Sequence, residues 1–132
     1  MRAPVIFEDL VAWAIRKLTP WLPGVAVNRT IDEPEKAPTV WVAGDGGPRD
    51  GPVRESYTLR VRTFADTYER SHDLARETEA LLVASIDGDP VVQLSRISGP
   101  SDVTEKGARY VQLLQIFSVV AHGKNHTPGG TP

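Results

Sequence analysis

Residues 54–82 read RESYTLRVRTFADTYERSHDLARETEALL, and the register of this stretch decides the fold. In its first half Tyr57, Leu59 and Val61 alternate with Thr58, Arg60 and Arg62. Period two with one apolar and one basic face is the signature of a strand covered on one side. In its second half the period changes. Wound at 100° per residue, Tyr68, Ser71, Leu74, Ala75, Thr78, Leu81 and Leu82 fall within an arc of about 140°. That is the buried face of a helix running to about Ala84. Asp66 and Glu69 have the spacing of a capping box at its start.

Working outward, residues 5–18 (VIFEDLVAWAIRKL) read as a first helix, with Phe7, Leu10, Val11, Ala14 and Leu18 on one stripe. Trp13 lies more than a right angle from the centre of that stripe. Trp13 and Trp21 therefore read either as core or as partner contacts. VAVNRTI (25–31) and PTVWVAG (38–44) are β-branched runs between breakers and read as strands. GDGGPRDGP (44–52), rich in glycine and proline, reads as a long exposed loop. VVQLSRISG (91–99) is a further strand, and PSDVTEKG (100–107) a turn-rich link. ARYVQLLQIFSVVAHG (108–123) is a final strand with large side chains on both faces. KNHTPGGTP (124–132) has no apolar anchor and reads as a flexible tail after a single domain spanning 1–123.

The order is α-β-β-β-α-β-β. The predicted class is α+β: a mostly antiparallel sheet of about five strands with two helices on one face.

The 132 residues suffice for one domain. Composition limits the chemistry. The chain has no cysteine, which removes disulfides, thiolate metal sites and cysteine nucleophiles. A net charge of −2 offers no strong field for nucleic acid. No apolar run reaches the roughly 18–20 residues of a membrane span. The N-terminal stretch is not a secretion signal, because Glu8 and Asp9 interrupt it, so synthesis in the cytosol is expected.

Chemical motifs are weak. His72-Asp73 sits one turn after Glu69, but His72 shares its flank with Arg76, and no second histidine stands at metal spacing. That flank reads as a solvated helix face. GDGGPRDG lacks the Gly-Lys-Ser/Thr ending of a phosphate-binding loop and carries two aspartates. No G-x-S-x-G elbow occurs. Arg60 and Arg62 form a basic ladder suited to an ion-pairing interface, a solvated face or phosphate contact. No catalytic, metal or cofactor site is expected.

One structural demand remains. Val111, Leu113, Phe117 and Val119 lie on one side of the last strand, and Leu114, Ile116 and Val120 on the other. Two short helices cover one side. The other needs a loop lid or another subunit, and self-association is the simpler solution for so small a chain. The Gly-rich loop would then order on contact.

In layout the chain resembles the tail terminator (tail completion) proteins of long-tailed bacteriophages and related minor tail proteins. The resemblance rests on the first helix ending in LTPWLPGVAV, the YTLRVRTFADTYERSHDLARETEALL block, and the closing GARYVQLLQIFSVVAHG strand, together spanning about residues 5–123. It is one of pattern and order, with no invariant motif. It implies a virion protein made in the host cytoplasm, without enzymatic activity or cofactor. Such a protein forms a ring, typically a hexamer, that caps the tail tube protein and then meets a head-side connector protein. By position, 44–54 would face the tube, with Asp45, Gly46, Gly47, Arg49 and Asp50 as candidate contacts. Trp13, Arg60 and Arg62 are the other interface candidates, the two arginines at a subunit boundary or along a DNA channel. Two rivals stand beside this reading: another neck or connector component, and a small ligand-binding or enzymatic domain centred on Glu69, His72 and Arg76.

Overall fold

The computed structural model of the chain describes residues 5–6, 8–29, 34–50 and 54–125; side chains are described for 8–29, 34–46 and 54–123. A two-residue strand β1 (Val5–Ile6) precedes helix α1 (Leu10–Leu18), which runs into a 3-10 turn at Thr19–Trp21. Strands β2 (Ala26–Arg29), β3 (Thr39–Asp50) and β4 (Arg54–Ala65) follow. Then come helix α2 (Tyr68–Ala84), β5 (Val91–Asp102), β6 (Val111–His122) and the two-residue β7 (Lys124–Asn125).

Apart from the two-residue strands, the order is the α-β-β-β-α-β-β expected, and the class is α+β. The five-stranded sheet is ordered β2-β3-β4-β6-β5. All pairings are antiparallel except β2 with β3, which is parallel.

Residues opposite one another in a ladder share a face. The face carrying Val40, Val42, Leu59, Val61, Phe117 and Val119 is sealed by Leu10, Trp13, Leu18, Leu74 and Leu82 of the two helices. Polar groups fix α2 to this face. The Ser71 hydroxyl donates to the Thr63 carbonyl at 2.8 Å, and the Thr63 hydroxyl donates to the Ser71 carbonyl at 3.1 Å. From β6, Gln115 Nε2 donates to the Ala75 carbonyl at 2.8 Å. These groups are buried, so each satisfied bond avoids a desolvation cost of about 1–3 kcal/mol.

Several local expectations are corrected. The first helix begins at Leu10, not Val5: Asp9 is its N-cap and accepts from the Val11 and Ala12 amides at 3.0 and 3.2 Å. Val5–Ile6 instead pair with Lys124–Asn125, so the first two residues of the expected tail are held in a ladder; 126–132 lie outside the described residues. The cap of α2 is Thr67, whose hydroxyl accepts from the Arg70 amide at 3.2 Å. Asp66 forms an ion pair with Arg70 at 2.9 Å. Tyr68, placed on the buried arc, is 48% exposed because it precedes the first turn that meets the sheet.

The largest correction concerns the Gly-rich stretch. Gly44–Asp50 is the second half of β3, paired to β4 from Gly44↔Leu59 through Asp50↔Arg54, with a bulge between Gly46 and Arg49. The expected flexible loop is thus strand up to Asp50; 51–53 lie outside the described residues. Gly44 shows the reason for its glycine. A Cβ there would stand 2.5 Å from Tyr57 Cε1, so the Tyr57 ring occupies the space a side chain would need.

Candidate functional site

The far face of the sheet, away from the helices, is built from the alternate set of positions. Arg62 stands between Trp41 of β3 and Leu114 of β6; Arg60 stands between Ala43 and Ile116; Ser56 and Arg54 oppose Val120 and His122. The helix-side neighbours Leu59, Val61, Leu113, Phe117 and Val119 are fully buried. On the far face Leu114, Ile116, Val120 and Arg62 are half-buried, and Arg54 and Arg60 are exposed. Trp41 and Phe64 pack together at one end, with ring centroids 4.6 Å apart.

The far face is therefore mixed, apolar side chains interleaved with guanidiniums. Aromatic residues, apolar surface and arginine together are the composition enriched in interface cores.

The sequence candidates sort clearly against this geometry. Asp45 and Arg60 are brought together: they form an ion pair at 2.6 Å on the far face. Arg62 joins that face without an ion-pair partner among the described residues. Gly46 lies in the ladder opposite Tyr57. Gly47, Arg49 and Asp50 lie in β3, but the side chains of residues 47–50 lie outside those described.

Trp13 is removed from the interface set. It is fully buried in the core, because α1 packs against α2 as well as the sheet and so buries a wider arc than one stripe. Trp21, in the 3-10 turn, is the exposed tryptophan, at 69%.

Among the described residues, β2 and the second half of β3 together form one open edge of the sheet. β2 pairs only with Thr39–Val42, leaving the outer side of Ala43–Asp50 without a strand. β5 is the other edge, and its pairing with β6 shifts register three times. Gly99 there has φ +90°, and a Cβ would sit 2.2 Å from the Leu114 carbonyl oxygen. Bulges, glycine and proline in both strands are the usual devices against uncontrolled edge pairing.

A groove of about 530 Å³ lies at the other side of the molecule, at the N-terminal half of α2. Buried Ala65 and Leu74 line it with half-buried Val25 and exposed Pro38, together with Asp66, Asp73, Glu77, Arg70 and Tyr110. Sequence reasoning missed it. Asp73 and Glu77 are far in sequence from Pro38 and Tyr110, and only the fold brings the four together.

The flank of Glu69, His72 and Arg76 is tied into its surroundings by ring stacking and an ion pair. His72 stacks on the Tyr68 ring, centroids 5.8 Å apart, and Glu79 pairs with Arg96 of β5 at 3.0 Å. Among the described residues there is no group of three or more histidine and acidic side chains that could hold a metal ion. No described helix is long and apolar enough to cross a membrane.

Burial pushes the Asp9 carboxyl up. The Ala12 and Val11 amides and the Arg29 guanidinium, with which it pairs, outweigh this and hold it below its ordinary value. Burial pushes the Tyr57 hydroxyl up, reinforced by Asp9, Asp45 and Glu55.

No protein-family profile matches the chain, and no curated protein matches it either.

Proposed function

We propose that this chain is a structural assembly protein that associates with copies of itself, and that its role is that of a tail terminator of a long-tailed bacteriophage. The observation that carries the first part is the far face of the sheet. Leu114, Ile116 and Val120 are half-buried on a surface that no helix covers, with Arg60 and Arg62 among them. The second part rests on the resemblance in element order and in the 57–82 block.

In this reading copies close into a ring, a hexamer by the family's habit. One side of the ring matches the end of the tail tube, and the other does not present the tube's surface again, so tube growth stops. The interface is heterologous, and it terminates because it is not repeated. The end of the β3–β4 ladder is the segment offered to the tube, held by its pairing as far as Asp50 and Arg54 rather than ordering on contact. The opposite side of the ring would receive the head-side connector.

The test is electron microscopy of the purified chain, alone and mixed with the tail tube protein of a long-tailed phage. Rings and tubes capped at one end are expected. Tubes that grow to the same lengths with and without the chain, and carry no added density at their ends, would refute the terminator role.

A further inference from the structure

We propose that the far face of the sheet in one copy docks onto the acidic groove of α2 in the next, a head-to-tail contact between unlike surfaces. The inference rests on the reading of the chain as self-assembling and names the two surfaces that meet.

The two surfaces are complementary in charge. The groove is rimmed by three carboxylates and one guanidinium (Asp66, Asp73, Glu77 against Arg70), a net of 1 − 3 = −2. Arg70 is already engaged by Asp66, whereas Asp73 and Glu77 have no ion-pair partner among the described residues. The far face carries Arg54, Arg60 and Arg62 on β4 against Asp45 on β3, a net of 3 − 1 = +2 among the described side chains. Arg60 is engaged by Asp45, whereas Arg54 and Arg62 have no ion-pair partner among the described residues.

The two surfaces also match in apolar character. Leu74, Ala65 and Pro38 line the groove, and Leu114 and Ile116 flank the arginines. An arginine fits such a site well: its methylene stem lies on apolar surface while its planar head reaches carboxylates spaced one helical turn apart.

The surfaces lie on different sides of the molecule, so a copy cannot satisfy its own groove. Isologous pairing would set arginine face against arginine face and is disfavoured by like charge. Unlike surfaces meeting head to tail generate a ring where the rotation closes.

The experiment is charge reversal with rescue, read as mass in solution by sedimentation at low and high salt. One variant carries Asp73→Lys and Glu77→Lys; a second carries Arg54→Glu and Arg62→Glu; a third carries all four. Circular dichroism confirms that each folds, and any that does not is replaced by its neutral version (Asn, Gln or Gln, Gln). The wild type is expected to self-associate, more weakly as salt rises. Each double variant should associate at least about tenfold more weakly, and the fourfold variant should recover most of the loss. Wild-type assembly unaffected by either double variant, or no recovery in the fourfold variant, overturns this contact and leaves self-assembly standing. A wild type that stays a single chain at every concentration overturns both.

Discussion

The two faces of one strand behave as though they belonged to different proteins. On β6, Leu113, Gln115, Phe117, Val119 and Ala121 are buried beneath the helices, while Leu114, Ile116, Ser118 and Val120 stay half-open between them in sequence. The same split runs through β4, where Leu59 and Val61 are sealed and Arg60 and Arg62 are not. One face is filled by the chain itself; on the other, Trp41 and Phe64 are buried at one end while Leu114, Ile116 and Val120 stay half-buried. A sheet serving only as a scaffold would carry a uniformly polar outer face. In the proposed reading the inner face serves stability and the outer face contact.

The strongest way to break that comparison is to truncate adjacent residues on β6. Phe117→Ala should lower stability by about 3–5 kcal/mol, from lost burial and the cavity left behind. Ile116→Ala should cost only about 1 kcal/mol in the single chain, measured by denaturant unfolding at low concentration. Equal costs would show that both faces are packed from within.

Next comes the pair of tryptophans. Trp13→Ala should cost about 3–5 kcal/mol, because the ring is wholly enclosed. Trp21→Ala should change stability by less than about 0.5 kcal/mol, as expected for a surface substitution. A large loss at Trp21 would mean that the 3-10 turn is packed more tightly than its exposure indicates.

A smaller effect sharpens the edge of the inner face. Asp9→Ala removes the cap of α1 and its pair with Arg29, and should cost about 1 kcal/mol at neutral pH. The folded-state ionisation of Asp9 is depressed, so the charge-dependent part of that stability is present above the ordinary carboxylate range. It is lost as pH falls through the depressed value. The gap between wild type and variant should therefore narrow in acid; a gap that widens would contradict the assignment.

The smallest effect belongs to the outer face. Asp45 and Arg60 are both about half exposed, and a double-mutant cycle on them should give a coupling below about 1 kcal/mol in the single chain. A much larger value would mean that the pair is shielded within one molecule.

Much of the fold was legible because local and global signals agreed. The alternation at 57–62 placed β4, and the helical arc at 68–82 placed α2 to within a residue of its cap. The sequence also showed that β6 is apolar on both sides. What it hid came from tertiary context. Gly44–Asp50 has the composition of a loop, yet it is held as strand by its ladder to β4 and by the Tyr57 ring that needs the bare Gly44. Trp13 looked lateral because a single stripe assumes a single wall, and α1 has two. The parallel pairing of β2 with β3 carries no local signature in the sequence. The groove was invisible because Pro38, Leu74 and Tyr110 are far apart in the chain. Asp45 and Arg60 were named separately, and only the register of β3 on β4 makes them a pair.

The most direct measurement is the mass of the chain in solution, by sedimentation, before and after Ile116→Glu. The account predicts that the wild type assembles beyond its 14.4 kDa single chain, and that the variant, with its new carboxylate beside Arg60, folds normally but remains a single chain. Assembly that survives the substitution unchanged, or a wild type that never exceeds one chain, would contradict it.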